Sequence, residues 1–285
     1  MKRVVITGGK GGCGKTSVAV SMAALADNWV IADCDVDAPN LAIIAQPEHS
    51  KHEVFNTQGV KIDPDICTRC GICREKCKFD AISEDYHIDL LKCETCGLCV
   101  ELCPVDAITY FQTEAGFWES AESRFGPFYH ARLNPGAENS GKLVTLIRQK
   151  AEEHAEKYGM NGVIIDGPPG VGCPVIASIT GCDYAIAVTE PTLSGKHDLE
   201  RLCELTAILR TPVGVVINKA TLSRKNEISI RKYAESKGLE IIGELPYDRI
   251  VTEAQMARKA VVEYSPDSEF AMALRNIWEK VNSKL

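Results

Sequence analysis

The sequence predicts an α/β fold with a doubly wound, mostly parallel sheet that is interrupted by a cysteine-rich insert. Short apolar runs alternate with helical segments along most of the 285 residues, which is the pattern of βαβ units and of a parallel sheet. Eight cysteines are concentrated between Cys67 and Cys103, where this alternation stops. Removing an insert of roughly 50 residues leaves a normal length for one doubly wound domain. We therefore expect a core formed by residues 1–60 and 111–285, with an inserted domain over residues 61–110.

The apolar runs predict the individual elements. The first run, residues 3–7, predicts a buried strand, and residues 17–26 predict a helix that packs on the sheet. Residues 108–111 and 116–119 predict a short hairpin after the insert. Residues 127–133 lead back to the core before a helix that begins at Ser140. Further strands are predicted over residues 30–32, 162–166, 184–188, 213–217 and 239–243, and further helices near residues 199–209 and 225–236.

A glycine-rich loop lies between the first predicted strand and the first predicted helix. It reads Gly-Lys-Gly-Gly-Cys-Gly-Lys-Thr from Gly9 to Thr16. Glycines allow successive backbone N–H groups to surround a phosphate at a helix N-terminus, where Lys15 would reach the β- and γ-phosphates and Thr16 would join the Mg²⁺ shell. The alternative is an ordinary glycine-rich turn, which the order of strand, loop and helix disfavours. The second lysine of the loop, Lys10, indicates contact with a nucleotide across a dimer interface.

Acidic residues follow two of the predicted strands. Asp166 ends one of them in the Walker B arrangement, which holds a magnesium-bound water. Among Asp33, Asp35 and Asp37 at the end of the other, we expect Asp35 to orient a water or to hold Mg²⁺ through one. A capping role is the alternative for Asp33 and Asp37. Asp166 continues into the segment Gly167-Pro168-Pro169-Gly170, which suits a switch loop that senses the γ-phosphate.

The identity of the nucleotide base is indicated by the residues after the strand predicted over 213–217. This strand ends at Asn218 and Lys219. Guanine-specific NTPases usually place an aspartate two residues after such a lysine, whereas this chain has Thr221. The sequence therefore predicts ATP as the nucleotide.

The clustered cysteines form two copies of the run C-x-x-C-x-x-C-x-x-x-C, which is the spacing of bacterial ferredoxins. In such pairs the fourth cysteine of each run ligates the cluster of the other run. Two 4Fe-4S clusters are thus predicted. One would be held by Cys67, Cys70, Cys73 and Cys103, and the other by Cys93, Cys96, Cys99 and Cys77.

Zinc and disulfide bonds are the alternatives for these cysteines. Zinc sites use C-x-x-C pairs, but the third cysteine that follows in both runs is typical of iron–sulfur proteins. Disulfide bonds are disfavoured because the chain shows no secretory signal and has the composition of a cytosolic enzyme, in which thiols stay reduced. We therefore expect a cytoplasmic location.

Taken together, the motifs resemble the deviant Walker A ATPases of the MinD, Mrp and nitrogenase iron protein superfamily, and most closely those members that carry an inserted ferredoxin domain. The resemblance rests on Lys10-Gly11-Gly12-x-Gly14-Lys15-Thr16, Asp35, Asp166-Gly-Pro-Pro-Gly and Asn218-Lys219. It implies a P-loop NTPase fold and ATP bound between two subunits of a homodimer or heterodimer.

The same resemblance implies a role for each site residue. Lys10 would reach across the interface, Lys15 would bind phosphate and Asp35 would position water. Thr16 would bind Mg²⁺, Asn218 would contact adenine, and the backbone near Pro246 would border the base. The residues expected to contact the nucleotide are Gly9, Lys10, Gly11, Gly12, Cys13, Gly14, Lys15, Thr16, Ser17, Asp166, Asn218, Lys219 and Pro246.

The charge distribution indicates protein partners rather than nucleic acid. Residues 61–110 hold six Lys and Arg against ten Asp and Glu, a net charge of −4, compared with −7 for the whole chain. An acidic insert favours redox partners with basic surfaces. The basic residues of the helix near 225–236 are interspersed with polar residues, so we expect a solvated face there; they are Arg224, Lys225, Arg231 and Lys232.

No run of eighteen apolar residues predicts a membrane span. A C-terminal stripe resembles the membrane-binding helix of MinD, but its polar side mixes acidic and basic residues. We therefore expect the stripe to pack against the sheet. It consists of Phe270, Leu274, Ile277, Trp278 and Val281.

Cys173 follows the predicted switch loop. In the nitrogenase iron protein a cysteine of this loop helps to hold a cluster that bridges two subunits. A dimer of this chain would supply only two such thiolates, so the bridging cluster is the less favoured alternative. We expect Cys173, Cys182 and Cys203 to be small buried side chains.

The motifs predict an ATP-hydrolysing iron–sulfur protein in which ATP-driven dimerisation or switching is coupled to electron transfer through the clusters. A spatial organiser of the MinD or ParA kind, with the clusters as redox sensors, is the first alternative. An iron–sulfur cluster assembly ATPase is the second, although this chain lacks the C-terminal C-x-x-C of Mrp-type cluster carriers.

Overall fold

The computed structural model describes residues 1–137 and 140–285. The chain forms two compact units. The first comprises Met1–Glu53, Trp118–Arg132 and Ser140–Leu285, and the second comprises Val54–Phe117 and the segment beginning at Leu133. In the described part of the chain, no helix has the length and apolar character needed to cross a membrane.

A mostly parallel sheet forms the centre of the first unit. Its strand order is β3-β4-β5-β2-β6-β1-β7-β8-β9, and the seven strands from β5 to β9 in this order pair in parallel. The central strands β1, β6 and β7 are apolar and buried, as expected for a parallel sheet covered on both faces. The strands are β1 Lys2–Gly8, β2 Trp29–Asp33, β3 Glu48–Ile62, β4 Ile108–Ser123, β5 Gly126–Leu133, β6 Gly162–Pro169, β7 Tyr184–Thr189, β8 Val213–Ile217 and β9 Glu240–Glu244.

The helices of the first unit cover this sheet. They are α1 Lys15–Leu25, α2 Ala42–Ala45, α5 Ser140–Lys157, α6 Cys173–Ile179, α7 Leu193–Ile208, α8 Arg224–Ser236, α9 Ile250–Met256, α10 Val261–Tyr264 and α11 Glu269–Asn282. The second unit has two short helices, α3 Ile72–Lys76 and α4 Leu98–Glu101. Side-chain oxygens cap several helices of the first unit. Thr192 accepts from Gly195 N at the start of α7, and Ser268 accepts from Ala271 N at the start of α11.

The C-terminal helix α11 packs into the core of the first unit. Phe270, Leu274, Ile277 and Val281 are at most 1% exposed, and Trp278 meets Trp29 edge to face at 5.4 Å between ring centroids. The apolar stripe is therefore buried in the protein, as predicted, and is not presented to a membrane.

One sequence prediction for the strands is wrong, and one strand was not predicted. The hairpin predicted from residues 108–111 and 116–119 is one continuous strand, β4, because none of residues 112–115 between the two runs has the positive φ of a tight hairpin turn. Strand β3 was not predicted at all, because much of its first half is polar and exposed and gives no apolar run.

The second unit is built from a 26-residue repeat. Both cysteine runs have left-handed residues at equivalent positions, and a short helix, α3 or α4, starts directly after the left-handed glycine of each run. A small apolar core lies beneath them. The equivalent left-handed pairs are Arg69 and Thr95, Gly71 and Gly97, and Asp80 and Asp106.

Candidate functional site

The glycine-rich loop connects β1 to α1 and is shaped by its glycines. Gly12 and Gly14 have φ values of 76° and 98°, a conformation that residues with a Cβ rarely adopt. A Cβ on Gly9 would lie 2.3 Å from the Cβ of Asp198 on α7. Lys15 is 5% exposed, and its Nζ lies 3.4 Å from the carbonyl oxygen of Lys10. The loop thus curls around a buried lysine at the N-terminus of α1, which is an arrangement for binding phosphate.

Asn218, at the end of β8, fastens this loop. Its Nδ2 donates to the carbonyl oxygen of Cys13 at 2.8 Å, and its Oδ1 accepts from the backbone N–H of Lys219 at 2.8 Å. A Cβ on Gly14 would come within 2.1 Å of Nδ2, so this glycine is required for the contact. The adenine contact of Asn218 stays a prediction, since the amide is here engaged with the protein.

Glu190 is a candidate site residue that the sequence motifs do not predict. Its carboxylate is 6% exposed and accepts from Lys10 Nζ at 2.8 Å and from Lys219 Nζ at 2.9 Å. Burial alone would raise the pKa of Glu190, but the hydrogen bonds and charges of both lysines lower it overall. Lys219 also donates to the carbonyl oxygen of Gly12 at 3.0 Å. An acidic residue directly after β7, next to β1 and β8, was the available signal.

The carboxylates predicted for the magnesium site meet at the ends of neighbouring strands. Asp33 of β2 is the register partner of Asp166 of β6. Asp33 accepts hydrogen bonds from Asp35 N and Leu41 N, both at 3.2 Å. Its pKa is raised by burial and by the charge of Asp166. Burial also raises the pKa of Asp35, which is half-buried, although the Lys15 charge opposes the shift.

Asp166 is the group that best fits a bound cation. It is 1% exposed, and no described residue satisfies either carboxylate oxygen with a hydrogen bond of normal geometry. Burial raises the pKa of Asp166 to about 7, although the nearby Thr16 hydroxyl and Lys15 charge oppose the shift. A buried carboxylate without partners is costly unless a ligand compensates it. The donor set of Asp166 and Thr16 therefore suits Mg²⁺ with coordinated water.

Part of this set of residues lines one cleft of about 940 Å³. Gly9, Lys10, Cys13, Asp33, Asp166 and Glu190 are not among the described residues of its lining. The cleft also brings in residues that sequence reasoning did not predict, from α2, from the loop before α9 and from α9 itself. Gln255 of α9 donates to Ser17 Oγ at 3.1 Å and ties α9 to the start of α1. The predicted site residues in the lining are Gly11, Gly12, Gly14, Lys15, Thr16, Ser17, Asp35, Asn218, Lys219 and Pro246.

The eight clustered cysteines line two cavities in the second unit. One cavity, of about 40 Å³, is lined by Cys73, Cys77, Cys93, Cys96 and Cys99. The other, of about 10 Å³, is lined by Cys67, Cys70, Cys73 and Cys103. Apart from Cys73, which lines both cavities, each cavity combines three cysteines of one run with the fourth cysteine of the other run. The spacing of the ferredoxin runs predicts these same two sets.

Among the described residues, no three Cys, His, Asp or Glu side chains are grouped closely enough to hold one metal ion. The backbone N–H of Ala107 donates to Cys103 Sγ at 3.2 Å. Burial raises the pKa of Cys73 and Cys99, and neighbouring cysteines add to the shift.

The remaining cysteines differ in exposure. Cys13, Cys34, Cys182 and Cys203 are buried. Cys173 is exposed, so the prediction that it is buried is wrong. The reason is its position as the first residue of α6, directly after the partly exposed Gly170–Gly172 segment.

Comparison with known proteins reveals similarity along almost the entire chain. The profile of the CobQ/CobB/MinD/ParA nucleotide binding domain matches residues 4–261. An uncharacterised protein of Methanocaldococcus jannaschii is 34% identical over 283 residues, which cover 98% of this chain and 96% of that protein. An iron–sulfur cluster carrier protein of Pyrococcus abyssi is 29% identical over 157 residues, 51% of this chain and 53% of that protein. The septum site-determining protein MinD of Pyrococcus horikoshii, solved with Mg-ADP, shares the fold with a TM-score of 0.61 at 17% identity, over 99% of this chain and 96% of that one.

Proposed function

Because the chain belongs to the CobQ/CobB/MinD/ParA nucleotide-binding family, we propose that it is a Mg²⁺-dependent ATPase that couples ATP-driven dimerisation or switching to electron transfer through two 4Fe-4S clusters. Its nucleotide-binding core is of the MinD and ParA kind. The observation that carries the proposal is the pair of cysteine-lined cavities in a chain that also has the glycine-rich loop and its cleft.

Each residue of the nucleotide site would have its own role in phosphoryl transfer. Lys15 and the backbone of the loop would hold the phosphates, and Thr16 and Asp166 would hold Mg²⁺, which would neutralise charge on the phosphates. Asp35, half-buried in the cleft lining, would orient the attacking water. We expect slow hydrolysis, because positioning and charges supplied across an interface, rather than a strong built-in base, carry such a reaction.

Lys10 links nucleotide binding to assembly. Within one subunit its ammonium group donates to Glu190 at 2.8 Å, and the same carboxylate also accepts from Lys219. Reaching the nucleotide of a second subunit requires Lys10 to leave Glu190. ATP-dependent dimerisation, as a homodimer or with a related ATPase, thus exchanges an intramolecular ion pair for an intermolecular phosphate contact.

The second unit supplies the electron carriers. Cys67, Cys70, Cys73 and Cys103 would hold one cluster. Cys77, Cys93, Cys96 and Cys99 would hold the other. When bound, the clusters accept and donate single electrons at low potential. Protein redox partners with basic surfaces suit the acidic charge of residues 61–110.

The deciding experiment is an EPR-monitored redox titration of the anaerobically purified protein, with and without Mg-ATP. We expect eight iron and eight sulfide per chain, following from two 4Fe-4S clusters, and a nucleotide-dependent shift of the cluster potentials. A shift of about 59 mV corresponds to about 1.4 kcal/mol for one electron. Lys15→Ala is the control and should keep the clusters but lose the shift. Iron that is absent, or bound as single ions, contradicts the cluster assignment.

A spatial organiser is the second candidate, and the similarity to MinD septum proteins favours it. In that case both clusters are present, but their potentials are the same with and without Mg-ATP. The burial of the α11 stripe means that such an organiser would not use this stripe as a membrane anchor. A cluster assembly ATPase would instead transfer iron and sulfide to an apo-protein. The similarity to the iron–sulfur cluster carrier protein of Pyrococcus abyssi is the reason to assay this transfer.

A further inference from the structure

Tyr247 lies in the nucleotide cleft with its ring open to solvent. It belongs to the loop Leu245-Pro246-Tyr247-Asp248 between β9 and α9. It is 58% exposed and lines the cleft together with Pro246 and Asp248. A large aromatic ring that stays exposed inside a ligand cleft is a candidate contact for the ligand.

The backbone around Tyr247 is fixed by hydrogen bonds. Leu245 N donates to Ile217 O at 2.9 Å, and Ala220 N donates to Leu245 O at 2.9 Å. Tyr247 N donates to Thr221 Oγ1 at 3.0 Å. The loop is thereby held against the segment 217–221, whose Asn218 and Lys219 donate to the phosphate-binding loop. The backbone of Tyr247 therefore needs little ordering when a ligand binds.

Two polar side chains of the cleft, Asn218 and Asp248, are already engaged within the protein. Asn218 uses Nδ2 on Cys13 and Oδ1 on Lys219. Asp248 Oδ1 accepts from Ile250 N at 2.9 Å, at the start of α9. Phe270, the other aromatic residue of the described cleft lining, is 1% exposed. Tyr247 is therefore the aromatic face that remains available to a planar ligand.

We propose that Tyr247 stacks on the purine of bound ATP and forms one wall of the base subsite. This inference rests on the proposed ATP site and adds a contact residue to it. The triphosphate is held by the loop and Lys15, so the base is at the other end of the nucleotide. Stacking on an aromatic side chain tolerates any base, because every base has a π-face. Tyr247 thus contributes affinity, while hydrogen bonds elsewhere select adenine.

The test is calorimetric titration of Tyr247→Ala with Mg-ATP, Mg-GTP and Mg-tripolyphosphate. Tripolyphosphate carries the phosphates without a base. Loss of one stacking contact should weaken ATP binding by about 5- to 100-fold, and GTP binding by a similar factor where it is measurable. Binding of tripolyphosphate should stay within about twofold, because the loop and Lys15 are untouched.

Two further variants separate stacking from other effects. Tyr247→Phe keeps the ring and should bind ATP like the parent. Tyr158→Ala removes a ring of similar exposure, 62%, just beyond α5, and should also match the parent. Unchanged ATP affinity in Tyr247→Ala, an equal loss for tripolyphosphate, or a Tyr247→Phe variant as weak as Tyr247→Ala would each overturn the proposal. If the parent chain does not bind ATP, or if Lys15→Ala binds it equally well, the result contradicts the proposed ATPase function and not the role of Tyr247 alone.

Discussion

At the scale of single residues, Asp166 contributes to the pH dependence of stability. Its folded-state pKa of about 7 lies above the ordinary value of an aspartate, so the folded protein binds this proton more tightly than the unfolded chain. The stabilising effect of that proton is present at low pH and is lost as pH rises through about 7.

Replacing Asp166 with Asn should therefore flatten the pH dependence of stability in Mg²⁺-free protein. Urea unfolding between pH 5 and 8 in the presence of a chelator measures this effect. The slope should be reduced rather than abolished, because burial also raises the pKa of Asp33. Equal slopes in parent and variant would show that Asp166 does not titrate in this range. Saturating Mg-ATP should restore stability to the parent alone, since only its carboxylate binds the cation.

Glu190 has the opposite pH behaviour because its pKa is lowered. The ion pairs with Lys10 and Lys219 are present above the pKa of an unfolded glutamate and are lost as pH falls through the lower folded-state value. Glu190→Gln should lower the free energy of unfolding at pH 7 by about 1–3 kcal/mol. The difference should shrink on acidification.

The matched control is Glu153→Gln, because Glu153 pairs with Lys150 but is 64% exposed. An exposed pair of this kind contributes about 0–1 kcal/mol. Urea unfolding of both variants at pH 7 and pH 4 compares the stability contributed by the buried Glu190 carboxylate with that of an ordinary surface ion pair. Similar small losses in the two variants would contradict the stabilising role of Glu190.

At the scale of elements, the apolar stripe of α11 could form either a core contact or a membrane-binding face, and its packing in the first unit distinguishes the two. Ile277 is fully buried, and a Cβ on Gly243 of β9 would lie 2.3 Å from it. Ile277→Ala should lower the free energy of unfolding by about 2–5 kcal/mol. Met272→Ala, on the same helix but 50% exposed, should change it by at most about 0.5 kcal/mol.

Urea unfolding measures both α11 variants, and vesicle sedimentation measures the alternative role. If Ile277→Ala leaves stability unchanged but removes vesicle binding, α11 is a membrane anchor and its packing in the first unit is wrong.

Most strands of the parallel sheet were predictable because each one is a short apolar run. β8 has the predicted bounds of 213–217, and β1, β2, β6, β7 and β9 differ from the predicted bounds by a few residues. β3 was not predictable in this way, since its exposed first half is stabilised by pairing with β4 and not by burial. Glu190 escaped prediction because its partners, Lys10 and Lys219, are distant in sequence and meet only in the folded sheet.

At the scale of the whole molecule, the two lysines of the loop should be separable by function. Lys10→Ala should keep most of the ATP affinity, because Lys15 still holds the phosphates, but should lose about 10³- to 10⁵-fold in hydrolysis if it acts as a charge across the interface. ATPase rates and sedimentation velocity with and without ATP measure the two effects. A Lys10→Ala variant that hydrolyses ATP as fast as the parent would exclude the role in trans.

The crossed lining of the two cysteine cavities has a consequence for the order of biosynthesis. Each cavity includes at least one cysteine from the other repeat, so a nascent chain that ends before Cys103 has all the lining cysteines of only one cavity. The cavity lined by Cys67, Cys70 and Cys73 is complete only when Cys103 of the second repeat has also left the ribosome. Under the proposed cluster assignment, that cavity would be loaded only after Cys103 has left the ribosome.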